Sequence, residues 1–302
     1  MKKYQPQYLK LAKTGELYDR IQLLRRILES CTLCPHRCRA KRLEGEEGFC
    51  RAGAKMVINS HGPHFGEESV LVGRGGSGTI FFSHCNLRCV FCQNYRISHR
   101  GVGYEISPDK LAQIMISLQK KGCHNINLVT PSHFVPQIVE GVYHAAKRGL
   151  TIPLVYNTSG YDRVKILKLL ENVVDIYMPD IKFGYNEKTK KYIGAGNYFD
   201  HTKMAVKEMY RQVGNLKTDG NNLAYRGLLI RHLVMPNNLE NTEKVLEFVS
   251  EEISKEAAVN IMPQYYPSHK AYMYPELSRR LNSSEYRLAI EHAKNLSLTN
   301  II

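Results

Sequence analysis

Thr79-Ile80-Phe81-Phe82-Ser83-His84-Cys85-Asn86-Leu87-Arg88-Cys89-Val90-Phe91-Cys92 joins an apolar, β-prone run to three cysteines that fall within eight residues. The run reads as a buried strand and the cysteines as a loop leaving its carboxyl end. Sulfur ligands this close together can converge on one inorganic centre. Three of them, with no fourth close behind, leave one metal position open for something other than protein, which suggests a catalytic centre more than a structural one. Zinc sites want paired Cys-x-x-Cys or Cys/His ligands that complete a tetrahedron, and here His84 or His99 would have to supply the fourth. An unpaired triplet on one loop suits a cubane iron–sulfur cluster held at three irons.

Outward from this stretch a rhythm appears. Apolar runs at Thr79–Phe82, Ile126–Thr130, Ile152–Tyr156, Val173–Met178, Leu228–Met235 and Val259–Met262 alternate with segments of helical period. Helices are predicted near Leu111–Leu118, with Ser107 as N-cap and Pro108 at the first helical position. Others are predicted at Val135–Lys147, Asp162–Glu171, Glu187–Val213 (interrupted at Gly194-Ala195-Gly196), Thr242–Glu252 and Glu285–Asn295. Six buried-type strands, each followed by a helix, predict a parallel sheet of the α/β class. Right-handed crossovers would curl it into a partial (β/α)6 barrel, with a doubly wound open sheet as the competing topology.

In either architecture the active face lies at the carboxyl ends of the strands. The candidate residues are therefore those that follow each run. They are Ser83-His84 and the cysteine loop, Pro131-Ser132-His133, Asn157-Thr158-Ser159-Gly160, Pro179-Asp180-Ile181-Lys182, Arg231-His232 with Pro236-Asn237, and Pro263-Gln264-Tyr265-Tyr266. Arg231 and His232 are adjacent in a strand, so only one can face the interior. Arg231 is the expected one.

The remainder bounds the problem. The chain has 302 residues, 43% hydrophobic and 23% charged, an ordinary globular composition with room for one large domain and a small appendage. No run is long enough to span a bilayer, and no apolar core follows Met1-Lys2-Lys3, so no signal peptide is read and a cytoplasmic setting is expected. Eight cysteines in that setting point to metal rather than disulfides. The net charge of +14 would suit a nucleic-acid partner, but the basic residues are scattered in pairs such as Arg25-Arg26 and Arg279-Arg280.

Residues 1–30 read as helical with a break at Thr14-Gly15. Cys31, Cys34, Cys38 and Cys50 follow, enough thiolates for a closed zinc site or a second iron–sulfur cluster, with His36 able to replace one. Met56–Gly78 reads as short strands and turns, and the chain divides into an N-terminal Cys-rich helical and irregular module (1–72) and a core domain (73–302). Gly73–Gly78 precedes a strand and lacks Gly-Lys-Ser/Thr, so it reads as a turn rather than a phosphate loop. His61, His64 and Glu67-Glu68 fit no particular metal spacing. Cys123 reads as a small buried residue, and Tyr192, Tyr198 and Tyr210 as packing.

The Cys-x-x-x-Cys-x-x-Cys loop after the first strand resembles the signature of the radical S-adenosylmethionine (radical SAM) superfamily, and Phe91 before the last cysteine resembles its glycyl-radical-enzyme activating branch. Val129-Thr130-Pro131-Ser132-His133-Phe134, Tyr156–Tyr161, Asp175–Lys182, Arg231–Pro236 and Met262-Pro263-Gln264-Tyr265 are similar to a group related to the pyruvate formate-lyase activating enzyme. The resemblance covers roughly residues 31–290. It implies an enzyme in which Cys85, Cys89 and Cys92 hold a [4Fe–4S] cluster whose open iron binds S-adenosylmethionine. One electron, from a reductant such as flavodoxin or ferredoxin, would cleave the cofactor to a 5′-deoxyadenosyl radical that removes hydrogen from a substrate. Asn157, Ser159, Asp180 and Lys182 match positions that approach the cofactor or substrate, and Arg231, expected to face the interior, is counted with them as a cofactor-binding candidate.

One departure matters. Activating enzymes carry Gly-Gly-Glu after the second strand, where this chain has Thr130-Pro131-Ser132-His133. Activation of a glycyl radical protein and direct modification of a small molecule, peptide or RNA therefore stand as equal expectations. The competing classes are a non-enzymatic iron–sulfur electron carrier and a zinc-module nucleic-acid binder.

Overall fold

The computed structural model describes residues 4–302, so the first three residues, including the Lys pair read above for targeting, lie outside the described part. Nine strands form one sheet system: β1 (Met56–His64), β2 (Ser77–Phe82), β3 (Tyr104–Ile106), β4 (Ile126–Val129), β5 (Leu154–Thr158), β6 (Ile176–Pro179), β7 (Lys217–Thr218), β8 (Ala224–Leu233) and β9 (Ala258–Met262). The order β2-β4-β5-β6-β8-β9 is parallel throughout and follows the chain without reversal. A doubly wound sheet would turn back at a switch point. The one-way winding is that of a partial barrel, as expected, and the sheet does not close.

The period of two divides each strand between two cores. Ile80, Leu128, Tyr156, Tyr177, Ile230 and Val259 point outward and pack against the helices in the main hydrophobic core. Val155, Ile176, Met178, Leu229 and Ala258 point inward, where Val70 and Leu71 join them. Burial on both faces is why β5 and β6 read as continuous apolar runs.

Helix ends follow local chemistry. The Ser107 hydroxyl accepts the Lys110 N–H at 3.1 Å with Pro108 at the first helical position. Gly15 and Gly194, both with positive φ, break the helices where expected. Asn282 and Glu285 form a reciprocal capping box ahead of Ser283–Asn295.

The segment Met56–Gly78 departs from the expectation of short strands and turns. Nine of its residues form β1, which pairs antiparallel with β2 and with β3. A register shift between Ile58 and Ser60, and an outer half that is largely exposed, hide the alternation that would have revealed the strand. Ser69–Val72 is a single helical turn that places Val70 and Leu71 inside the barrel. At the far side of the sheet, Val259 N–H donates to the Asn300 carbonyl at 3.0 Å and Ile302 N–H to the Val259 carbonyl at 2.9 Å. Among the described residues no helix is long and apolar enough to cross a membrane.

Asp175 ties the floor of the barrel together. Its carboxylate accepts the Tyr4 hydroxyl at 2.6 Å and the Leu154 N–H at 2.9 Å. Burial raises this carboxyl from its ordinary 3.8 to about 7. The folded chain therefore retains a proton that the unfolded chain releases above about pH 4, so this group's contribution to stability is full below that point and is lost as pH rises toward 7. In Asp175→Asn, urea unfolding should show a flatter dependence of stability on pH. The deficit relative to wild type should shrink between about pH 4 and 7.

Candidate functional site

The cysteine loop leaves β2 with its backbone pinned by its neighbours. Arg88 N–H donates to the Ile193 carbonyl and Val90 N–H to the Tyr192 carbonyl, both at 2.8 Å, while Val90 accepts from Lys270 N–H at 2.8 Å. Leu87, Val90 and Phe91 are buried beneath the loop, with Phe91 against Phe183 and Tyr265. The cysteines pack on the same apolar layer, Cys89 within it and Cys85 and Cys92 at its edge. Cys85 and Cys92 remain partly accessible, and Cys89 is buried.

The three sulfurs act on one another. Burial pushes the Cys85 thiol up to about 11, with the Leu87 N–H at 3.3 Å, Lys182 and Arg88 opposing and Cys92 adding to it. Burial also raises Cys89, against the pull of Lys182, and both other cysteines raise it further. Thiols that share one site with a lysine and an arginine suit metal thiolates, because the cations compensate the charge that deprotonation creates. Among the described residues no three His, Cys, Asp or Glu side chains are arranged to hold a single metal ion.

The other strand ends meet at the same place. Asp180, after β6, accepts the Lys182 ammonium at 2.7 Å and the Arg231 Nε–H at 2.8 Å. The Arg231 Nη2 donates to Asn157 Oδ1 at 2.7 Å, and Glu67 Oε2 lies 3.6 Å from Nη1. Burial alone would raise Asp180, but Arg231 and then Lys182 outweigh it and hold the carboxyl at about 2. Ser159 donates to Asn86 Oδ1 at 3.1 Å and Asn86 Nδ2 donates to the Tyr161 carbonyl at 2.7 Å, so Ser159 meets the cysteine loop itself. Arg231 faces the interior, as expected. His232 faces the other way, bonded to the Ile181 carbonyl and the Thr242 hydroxyl, and burial lowers it to about 4.

After β4, His133 is bonded to the Ser83 carbonyl at 2.8 Å, and burial lowers it to about 3. Ser132 is committed to the Thr158 hydroxyl at 3.1 Å. His84 and Thr130, each at the exit of a strand, carry φ values of 69° and 60°. For a β-branched residue such as Thr130 this is strained backbone, a condition that concentrates at functional sites.

Glu67, Glu68 and Asn260 also reach this interior. Glu68 accepts the Asn260 amide at 2.9 Å, and its second oxygen has no partner. Burial raises Glu67 despite Arg231 nearby. Weighed as metal ligands, the two glutamates gave no signal; only the apolar turn behind them, which drives them inward, could have placed them. The larger surface clefts, such as those lined by Leu28, Met56 and Pro136 or by Tyr4, Ile152 and Tyr225, contain none of these residues.

The four N-terminal cysteines are also brought together. Cys34, raised by burial, is raised further by Cys50, Cys31 and Cys38. Their loops rest on the Cys85–Cys92 loop: His36 Nε2 lies 2.9 Å from the Asn86 carbonyl, and Arg88 donates to the Phe49 carbonyl at 2.8 Å.

The family model described as the radical SAM superfamily matches residues 79–249, more than half of the chain. An uncharacterised protein of Methanocaldococcus jannaschii, MJ0674, is 35% identical over 96% of this chain and 82% of its own length. A second from the same organism, MJ0808, is 23% identical over 86% of this chain and 78% of its own. Among solved structures, Streptococcus suis SuiB bound to its precursor peptide SuiA superposes with a TM-score of 0.50 and 11% identity, over 72% of this chain. The chain spans 46% of SuiB, and at that identity the likeness is one of fold.

Removing one member of the Asp180 network should be costly. Arg231→Met leaves a buried carboxylate with one cation fewer and should lower stability by about 3–5 kcal/mol in urea unfolding. Adding Asp180→Asn to that variant should restore a substantial part of the loss.

Proposed function

Since the chain belongs to the radical SAM superfamily, we propose that it is an enzyme that removes a hydrogen atom from a polar substrate held over the open barrel, with Cys85, Cys89 and Cys92 carrying a [4Fe–4S] cluster. When bound, the cluster and S-adenosylmethionine supply reductive cleavage of the cofactor and the 5′-deoxyadenosyl radical that performs the abstraction. The observation that carries the reading is the meeting of the cysteine triplet with the Asn157–Arg231–Asp180–Lys182 network at one end of the sheet.

The protein's own residues have distinct tasks. Cys85, Cys89 and Cys92 would hold the cluster. Lys182 and Arg88 offset the negative charge gathered on the sulfurs. Asp180, Arg231 and Asn157 form a pre-paired polar wall, with little reorganisation left to make when the charged and hydroxylated parts of the cofactor or substrate bind against it. Ser159 orients the loop through Asn86. The aromatic layer of Phe91, Phe183 and Tyr265 keeps water from the underside of the loop.

Direct modification of a substrate is favoured over activation of a glycyl radical protein. Ser132 and His133, where activating enzymes carry Gly-Gly-Glu, are buried and engaged with Thr158 and Ser83. Phe91 is accounted for by packing. A peptide is one substrate class open to this reading, since SuiB binds a precursor peptide.

After anaerobic reconstitution and reduction, the protein should convert S-adenosylmethionine to 5′-deoxyadenosine and methionine, followed by chromatography. A reduced, reconstituted protein that binds the cofactor and never cleaves it would overturn the reading. Asn157→Ala should weaken cofactor binding by about tenfold, about 1.4 kcal/mol, while the iron content stays unchanged. Deuterium transfer from a labelled substrate into 5′-deoxyadenosine identifies the hydrogen donor. A glycine-centred radical on an added glycyl radical enzyme would instead establish activation.

A further inference from the structure

We infer that Cys31, Cys34, Cys38 and Cys50 hold a second iron–sulfur cluster, closed by four thiolates and seated directly against the loop of the first. The arrangement of the loops, their charge balance and their contacts each support this.

The loops bend around the sulfurs. Arg37, Arg39 and Arg51, flanking Cys38 and following Cys50, all have positive φ, between 44° and 60°. Arginine gains nothing intrinsic from that conformation, so the turns are held by what they enclose. Gly48 makes the closest approach: a Cβ there would stand 2.2 Å from the Cys38 sulfur. The missing side chain at Gly48 lets Cys38, on an otherwise exposed stretch, bring its sulfur against the turn that carries Cys50. Backbone bonds close the same loops: Cys31 N–H donates to the Ala40 carbonyl at 3.0 Å, Arg39 N–H to the Cys31 carbonyl at 2.9 Å and Arg51 N–H to the Gly48 carbonyl at 2.9 Å.

The charge balance points the same way. Arg42 is 1% exposed, and its guanidinium donates to carbonyls, those of Gly53 at 2.6 and 3.0 Å and His133 at 2.7 Å, and lies over the Phe134 ring. Among the described residues no carboxylate pairs with it. A buried, unpaired cation is expensive. Gly53, which accepts two of these bonds, lies three residues after Cys50, and a metal-bound thiolate at Cys50 would supply the missing anion.

The N-terminal group's place against the loop of the first favours a cluster over zinc, since a cluster there could relay an electron where zinc could only staple the loops. Because all its irons would be ligated by protein, the second cluster cannot take S-adenosylmethionine. Its position follows from His36 and Phe49, which lie between its cysteines in sequence, stack at 3.8 Å and contact Asn86 and Arg88 of the first loop.

The test is metal and sulfide analysis of the full chain after anaerobic reconstitution with iron and sulfide. Wild type should hold about eight irons and the Cys85→Ala/Cys89→Ala/Cys92→Ala variant about four. The reduced cluster of that variant should give an electron paramagnetic resonance spectrum unmoved by S-adenosylmethionine. Cys34→Ala/Cys50→Ala should also hold about four irons, with a spectrum that S-adenosylmethionine does change. The triple variant leaves the N-terminal loops intact, so misfolding of the double variant does not blunt the test. A triple variant without iron, or one that retains zinc in its place, would overturn the inference. So would a wild type that never exceeds about four irons.

Discussion

Asp180 lies inside the barrel between two cations, and its burial is tolerable only because both are there. Removing a carboxylate from water costs several kcal/mol before any partner is counted. Arg231 and Lys182 reverse that cost, and in doing so they couple three strands. The Asp180–Arg231 contact sits where β6 and β8 meet, next to the Ile181 N–H bond to the Arg231 carbonyl at 2.8 Å. The second guanidinium nitrogen reaches Asn157 at the end of β5. The polar end of the barrel is thus held by electrostatics between strand ends. Since Lys182 also acts on Cys89, the same network extends to the cysteine loop.

This arrangement explains what could be read in the sequence and what could not. Six parallel strands were legible because both of their faces are buried, which leaves uninterrupted apolar runs. Chain order then placed Asn157, Ser159, Asp180, Lys182 and Arg231 at one face, and strand parity chose Arg231 over His232. The pairings were not legible. Nothing in Asp-Ile-Lys says that the carboxylate will also bind an arginine some fifty residues on. A local Asp180–Lys182 pair was weighed as a bland alternative, and it does form, but as one part of a larger network.

The residues that escaped notice are those whose role depends on an irregular path. β1 was obscured by its bulge and its exposed outer half. Ser69–Val72 is too short to show a period. Yet that turn carries Glu67 and Glu68 to the barrel interior, where burial and Arg231 give them significance that their spacing lacked. Ser159 illustrates the converse. Its position was legible, but its hydroxyl is turned toward Asn86 and so toward the loop that bears the cysteines.

The open sheet has one further consequence. A barrel that does not close keeps two edges, and unpaired backbone at an edge is a template for a strand from another molecule. Here the two edges are guarded by different means. Beside β9, Asn300–Ile302 take up hydrogen bonds on both sides of Val259. At the opposite margin β3 is three residues long, and its Glu105 pairs with Lys55 at 2.8 Å across exposed surface. The chain can therefore keep its mouth open for chemistry without offering a ready seam for aggregation.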